Sequence, residues 1–403
     1  MPFLSENPVW ETFGTRALFQ AIYGAADFGE CQQVIERVGD GGLDEWHREW
    51  TATADSLFDA ADGSAAAGHD VSARDAYLRA STYYRAAYQP LFGAPVDERL
   101  RESFDRESES VARAAPLYGR PVEPLEIPFE DGVTLPGFLV RPAGDAGRRP
   151  TIVHTNGYDS NINEMFVCHV AAAVERGYNI LLFDGPGQGR CLIHGGLHIR
   201  PDWENVVGPV IDFALERPEV DTDRVVLAGW SFGGFLAPRA ACFEDRIAAL
   251  WADPGQWDQS AGVANLPLSD EDKSRFPDIE PSKLAPFEDF VRGPDADPML
   301  RWRLIQRGLW VNDKETLFDY FVDMLRFEVS SAAANITCPA LLTAAEGDPV
   351  AAGAPKLLDA ISSDRKVLLN FTLAEGAAGH CEGGARRLFH QRCYDWLDKA
   401  LGA

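Results

Sequence analysis

The sequence predicts an α/β fold: a mostly parallel sheet with helices on both faces, preceded by a helical segment of roughly 120 residues. Three observations predict it. From Thr151 onward, apolar runs of strand length alternate with helical patterns, as expected for parallel strands joined by crossover helices. Before Pro121, apolar residues recur at helical spacing and almost nothing reads as strand. The apolar run after Asp223 ends in Gly229-Trp230-Ser231-Phe232-Gly233, which sets a serine where a strand turns sharply into a helix.

The elements follow in order. Leu43, Trp46, Trp50 and Leu57 recur on one helical face, and a Gly/Ala/Ser-rich interruption spans Asp62 to His69. Ser72-Ala73-Arg74-Asp75 has the pattern of a capping box, opening a helix whose stripe is Tyr77, Ala80 and Tyr84 and which ends at Gln89-Pro90. Asp97 can cap another helix, with Leu100, Phe104 and Val111 as its stripe. The pattern changes near Pro121, which divides a helical cap (residues 1–121) from a core (122–403). Leu125 to Phe129, the turn Glu130-Asp131-Gly132, and Thr134 to Val140 read as a hairpin. Strands then follow at Thr151 and Asn179, helices at Glu164 to Arg176 and Asp202 to Glu216, and a strand runs into Ser231. Between residues 255 and 332 the alternation lapses into Pro- and charge-rich sequence with helical patterns at Met299 to Gln306 and Glu315 to Phe327. An insertion this long between core strands reads as a lid. With the N-terminal helices it is expected to form a two-part cap.

A chain of 403 residues can bury one large core or two moderate ones. Its net charge of -25 opposes binding to nucleic-acid phosphates and favours solubility. No apolar run approaches the roughly 18 residues of a membrane span, so neither nucleic acid nor membrane is an expected partner. The N-terminus lacks a basic n-region and an apolar h-region, so no secretory leader is expected. Seven cysteines without close pairs fit reduced thiols and a cytoplasmic location, which would leave the sequons at Asn335 and Asn370 unused.

A serine hydroxyl is a weak nucleophile until a base takes its proton and a third group orients that base. The glycines two positions either side of Ser231 fit a turn that brings strand and helix backbones together. That turn exposes Oγ and aims the Phe232 N–H, at a helix N-terminus, toward a developing oxyanion. Downstream, Pro339 to Ala345 reads as a buried strand ending in Glu346-Gly347-Asp348-Pro349, and Lys366 to Phe371 as another leading to Glu375-Gly376-Ala377-Ala378-Gly379-His380. Asp348 is the expected orienting acid and His380 the base. Asp253, after the strand Ile247 to Trp251, and Glu346 are rival acids. His154 reads as a structural histidine within a strand, and His390 lies on a helix that starts too late to reach Oγ. The strand ending in Thr155 runs into Asn156-Gly157-Tyr158-Asp159, where the Tyr158 N–H is the second candidate oxyanion donor and Gly157 its neighbour.

Other patterns point elsewhere. Asp184-Gly185-Pro186-Gly187-Gln188-Gly189-Arg190 lacks the glycine spacing of a dinucleotide loop and reads as a tight strand-to-loop turn with no helix opening from it, so no cofactor is expected. Cys191, His194 and His198 lack a fourth ligand, and no metal is expected. Tyr83, Tyr84 and Tyr88 fit either helix packing or the wall of an aromatic substrate pocket.

The order Ser231, Asp348, His380, with each residue at a strand's carboxyl end, resembles the α/β-hydrolase fold over about residues 122–403. That likeness implies an eight-stranded, mostly parallel sheet. The helical N-terminal segment, the loop Asn156 to Asp159, the run Phe183 to Gly189 and the elbow Gly229 to Gly234 are similar to one subgroup. It contains 2,6-dihydroxypseudooxynicotine hydrolase and fungal yellowish-green-type hydrolases that shorten polyketides. The resemblance implies cleavage of a carbon–carbon bond next to a ketone, in an aromatic, polyketide-like or β-diketone small molecule. It also implies an acid beyond the triad, for which Asp253, Glu164 and Asp159 are candidates. Ester, lactone or thioester hydrolysis needs the same triad and remains open. A prolyl-oligopeptidase-like peptidase fits poorly with so short and helical an N-terminus, and a silent ligand-binding scaffold fits poorly with an intact triad. Apolar cap helices fit either a homodimer interface or packing on the core.

Overall fold

The computed structural model describes residues 3–144 and 147–402. Met1 and Pro2, the start of the segment read for a leader, lie outside the described residues. The chain divides into two compact units: Met1–Leu125 with Phe138–Ala146 and Asn161–Leu182, and Glu126–Gly137 with Gly147–Ser160 and Phe183–Ala403.

The first unit is built on helices α1 (Pro8–Leu18), α2 (Phe28–Val38), α3 (Leu43–Ala66), α4 (Asp70–Tyr88), α5 (Glu98–Ala114) and α6 (Ile162–Glu175). Asn7, Asp27, Asp97 and Asn161 cap α1, α2, α5 and α6 by accepting N–H groups of the first turn. The buried face of α3 is Trp46, Trp50, Ala54, Phe58 and Ala61. Leu43 is exposed and Leu57 only half-buried, because steps of four from Trp50 lead to Phe58 instead. The interruption predicted at 62–69 is mostly helix, with the break at Gly68, whose φ of 77° a side chain would resist. In consequence α4 opens at Asp70 and Ser72 sits inside it, so the predicted capping box does not form. Trp10 stacks on Trp46 at 4.6 Å, Trp46 tilts against Trp50 at 5.4 Å, and Trp50 meets Tyr83 at 5.3 Å. Each such aromatic pair adds about 0.5–1.5 kcal/mol beyond the area it buries.

Among the described residues one sheet of eight strands is formed by β1 (Val122–Pro128), β2 (Thr134–Val140), β3 (Arg149–Thr155), β4 (Asn179–Phe183), β5 (Val220–Trp230), β6 (Ala249–Asp253), β7 (Ala340–Ala345) and β8 (Lys366–Phe371), in the order β1-β2-β4-β3-β5-β6-β7-β8. β3, β5, β6, β7 and β8 pair in parallel, with Thr155 opposite Gly229 and Trp230 opposite Asp253. That register brings the carboxyl ends of β3, β5 and β6 level. Loops leaving those ends converge, which is where open α/β sheets place their sites.

The second unit also holds α7 (Gly189–Ile193), α8 (Glu204–Leu215) and α9 (Gly233–Ala241). A short helix does open at Gly189, contrary to the sequence reading of that turn, because Gly187 and Gly189 take φ of 84° and 39° and let the chain coil at once. Residues 255–332 form short helices, including a π-helical turn at Trp302–Gly308. Among the described residues no helix is long and apolar enough to cross a membrane.

Candidate active site

The strand-to-helix turn at Ser231 is possible only with glycine around it. A β-carbon on Gly229 would fall 1.9 Å from the Gly233 carbonyl oxygen, and one on Gly234 would fall 2.0 Å from the Pro254 carbonyl oxygen. Ser231 has φ 59°, in the left-handed region that a side chain resists. Three hydrogen bonds hold it there. Its N–H donates to the Asp253 carbonyl at 2.6 Å, while its own carbonyl accepts from Gly234 N at 2.8 Å and from Gln256 Nε2 at 2.6 Å.

Ser231 Oγ lies 2.8 Å from His380 Nε2, and His380 Nδ1 lies 2.8 Å from Asp348 Oδ2. Three residues from three strand ends thus make one hydrogen-bonded chain. The Asp348 side chain is 1% exposed and that of His380 45% exposed, so the acid is shielded while the base opens toward solvent. Asp348 Oδ1 accepts Val350 N–H at 3.0 Å, which fixes the carboxylate plane. Gly379 N–H donates to the Glu346 carbonyl at 2.9 Å and ties the His380 loop to the Asp348 loop.

The rival groups are engaged elsewhere. Glu346 accepts Leu373 N–H at 2.8 Å with its carboxylate. Asp253 accepts the Thr343 hydroxyl at 2.7 Å and is 1% exposed. His154 is buried on β3, where desolvation and the positive Arg386 push its pKa down to about 3. His390 is buried on the C-terminal helix against the rings of Phe389 and Tyr394.

The loop after β3 passes against Ser231. The Tyr158 ring meets Phe232 edge-on at 5.1 Å, so the two residues proposed from sequence as oxyanion donors pack on each other. Tyr158 is buried, and its hydroxyl donates to Asn312 Oδ1. Asp159 pairs with Arg307 at 2.8 Å, and that guanidinium also lies 5.0 Å from the Tyr158 ring centroid. Segment 255–332 therefore grips this loop.

Sequence reasoning missed a second support. Asn156 Nδ2 donates to Asp184 Oδ1 at 2.6 Å, and Gln188 Nε2 donates to the carbonyls of Asn156 and Gly157 at 2.9 and 3.2 Å. All three side chains are fully buried. The run Asp184 to Arg190, read only as a turn, buttresses the β3 loop. The signal available was a carboxylate and an amide inside a glycine-rich turn that needs neither. Cys191 Sγ faces the Asp184 carbonyl, and His198 Nδ1 lies 2.8 Å from the Trp310 carbonyl.

Three pocket candidates belong to the first unit. Tyr83 donates its hydroxyl to Glu30 at 2.7 Å and Tyr84 to Asp55 at 2.5 Å. Both rings are fully buried in helix packing, which corrects their reading as pocket walls, since neither hydroxyl is spare. Glu164 is held by Arg16 at 2.7 Å and Arg85 at 3.0 Å. Both of its carboxylate oxygens thus meet guanidinium groups.

A model described as the alpha/beta hydrolase family matches residues 152–382, and one described as FrsA-like esterase matches residues 36–252. The chain is similar to hydrolase LUC6 of Fusarium sp, at 31% identity over 96% of this chain and 95% of the relative. It is also similar to 20-hydroxy-prefusarin hydrolase FUS2 of Gibberella moniliformis, at 30% identity over 96% and 95%. Among solved structures, 2,6-dihydroxy-pseudo-oxynicotine hydrolase shares the fold with a TM-score of 0.75, 22% identity and 95% coverage of both chains. The glycine-locked turn, the strand order and these full-length likenesses agree: the chain is a hydrolase and belongs to the alpha/beta hydrolase family.

Proposed function

We propose that Ser231 is a nucleophile, His380 its base and Asp348 the acid that orients the base, acting through an acyl-enzyme. The observation that carries this reading is the unbroken chain from Ser231 Oγ through both His380 nitrogens to Asp348, at 2.8 Å per link. His380 Nε2 takes the hydroxyl proton as Oγ adds to a carbonyl carbon. The resulting alkoxide is stabilised by the N–H groups of Phe232 and Tyr158, and each such donor is worth about 10²–10³ in turnover. Collapse expels the leaving group, which takes the proton from the imidazolium. Water, activated by His380, then releases the acyl group as an acid and restores Ser231.

We assign to this relay the cleavage of a carbon–carbon bond next to a ketone in an aromatic, polyketide-like or β-diketone substrate. The sequence likeness in the β3 loop, the Asp184 to Arg190 run and the elbow supports this, as does similarity to a relative named for acting on 20-hydroxy-prefusarin. A carbon leaving group departs only as a delocalised anion, hence the enolate or phenol-type substrate. Ester hydrolysis is the second reading, favoured by the esterase-like match over residues 36–252.

Ser231→Ala is expected to abolish both turnover and fluorophosphonate labelling, and persistence of either sinks the relay. Asp348→Asn is expected to lower turnover by about 10⁴-fold. Mass spectrometry of products from aryl 1,3-diketones and p-nitrophenyl esters separates the two chemistries. Turnover of esters alone would favour the esterase.

A further inference from the structure

Asp253 and Glu382 are buried, lie next to the relay and have no part in it. Asp253 ends β6. Its backbone carbonyl takes the Ser231 N–H at 2.6 Å and its side chain turns inward to the Thr343 hydroxyl at 2.7 Å. Glu382 stands two residues after His380 and is 0% exposed. Its carboxyl faces that of Asp253; apart from this neighbour neither of its oxygens has a hydrogen-bond partner, and Asp253 Oδ2 has none either. The backbone is bent to reach this position. Cys381 and Glu382 take φ of 55° and 46°, two successive left-handed residues that are not glycine. Such a conformation persists only where surrounding contacts enforce it.

Two carboxylates facing each other in a dry site cannot both ionise. The charges around them favour one negative charge rather than two, since Arg386 draws the pair toward ionisation and Asp348 opposes it at Glu382. The charged and titratable groups that act on the pair are Arg386 on the C-terminal helix, the solvent-facing His380 and the Asp348 carboxylate, with the neutral thiols of Cys381 and Cys393 beside them. Arg386 is 3% exposed and lies over the Trp230 ring at 4.7 Å. One proton on the pair leaves a single negative charge opposite that guanidinium. Burial raises both carboxyl groups above their usual range; the neighbouring Asp253 raises Glu382 further, while the hydrogen bond from Glu382 draws Asp253 back down.

We propose that Asp253 and Glu382 share one proton and form a strut that sets the separation of Ser231 and His380, acting as positioning residues. The strut runs from the Ser231 N–H through the Asp253 carbonyl and side chain, across the shared proton, to Glu382 and so to the His380 loop. It rests on the reading of Ser231 and His380 as nucleophile and base. Loss of the proton at alkaline pH leaves two facing carboxylates that repel, and the His380 loop withdraws from Ser231.

The test is the pH dependence of fluorophosphonate inactivation for the full chain, with Ser231→Ala as control. Wild type is expected to lose reactivity on an alkaline limb. Glu382→Gln, whose amide can donate to Asp253 at every pH, should stay within about fivefold of wild type near neutrality and lose that limb. Glu382→Ala should react about 10²-fold more slowly, the scale of a small misplacement of reacting groups. Infrared difference spectra should show a protonated carboxyl band that shifts in D₂O and is missing in both Glu382→Gln and Asp253→Asn. This readout serves even if Glu382→Ala fails to fold. Labelling that survives Ser231→Ala defeats the relay itself. If Ser231→Ala is silent but wild type lacks the alkaline limb, or Glu382→Gln keeps it, or the band is absent, the relay stands and the strut is overturned.

Discussion

Gly157 and Ser231 are packed so closely that a β-carbon on Gly157 would lie 2.9 Å from Ser231 Cβ and 3.2 Å from its Oγ. The β3 loop therefore approaches the serine with bare backbone. Gly157→Ala must push the loop or the serine aside, and both are held, one by Gln188 and the other by Asp253. The expected result is a folded protein with turnover reduced by about 10²-fold or more. Circular dichroism and kcat on any accepted substrate check it, and near-normal kcat would refute the contact.

Asn312 reaches the same loop from segment 255–332. It accepts the Tyr158 hydroxyl and passes the contact on to Asp323 at 2.8 Å through Nδ2. Asn312→Ala leaves a buried hydroxyl without that acceptor, a loss of about 1–3 kcal/mol. If Tyr158 N–H serves the oxyanion, kcat should fall about tenfold or more with KM little changed. A purely structural role would instead lower the melting temperature and leave kcat alone.

Glu107 offers a pH test in the first unit. It accepts Tyr88 OH at 2.7 Å and Asn161 Nδ2 at 2.9 Å, and burial pushes its pKa up to about 7 from the usual 4.5. Folded protein therefore keeps a proton that unfolded chain releases between about pH 4.5 and 7. Stability contributed by Glu107 is present below that window and is lost as pH rises through it, by at most about 1.4 kcal/mol per pH unit. Glu107→Gln should flatten this decline, so its melting temperature relative to wild type should rise from pH 5 to pH 8. A difference that does not change with pH would count against the buried protonated acid.

Much of the site was legible in the chain because its pieces are local. Ser231, Asp348 and His380 each stand just past an apolar run of strand length, and glycines mark the one turn that forbids side chains. Asp253 looked like a rival acid for the same local reason, as it too ends a strand. Only the pairing of Trp230 with Asp253 shows that its carbonyl serves the Ser231 N–H while its side chain turns to Thr343. Glu382 carried no pattern at all and Gln188 only its place in a glycine-rich turn, because the groups they meet, Asp253 and the Asn156 and Gly157 carbonyls, lie far away in sequence.

The sequence by itself determined the alternation of strand and helix, the elbow and the order of the three relay residues, since periodicity, glycine sterics and strand ends are properties of short segments. Tertiary structure alone decided which carboxylate meets His380, which side chains brace the β3 loop, and that Tyr83 and Tyr84 are spent on packing. Those outcomes depend on register between strands and on burial, where a polar group must find whichever partner the fold brings within reach.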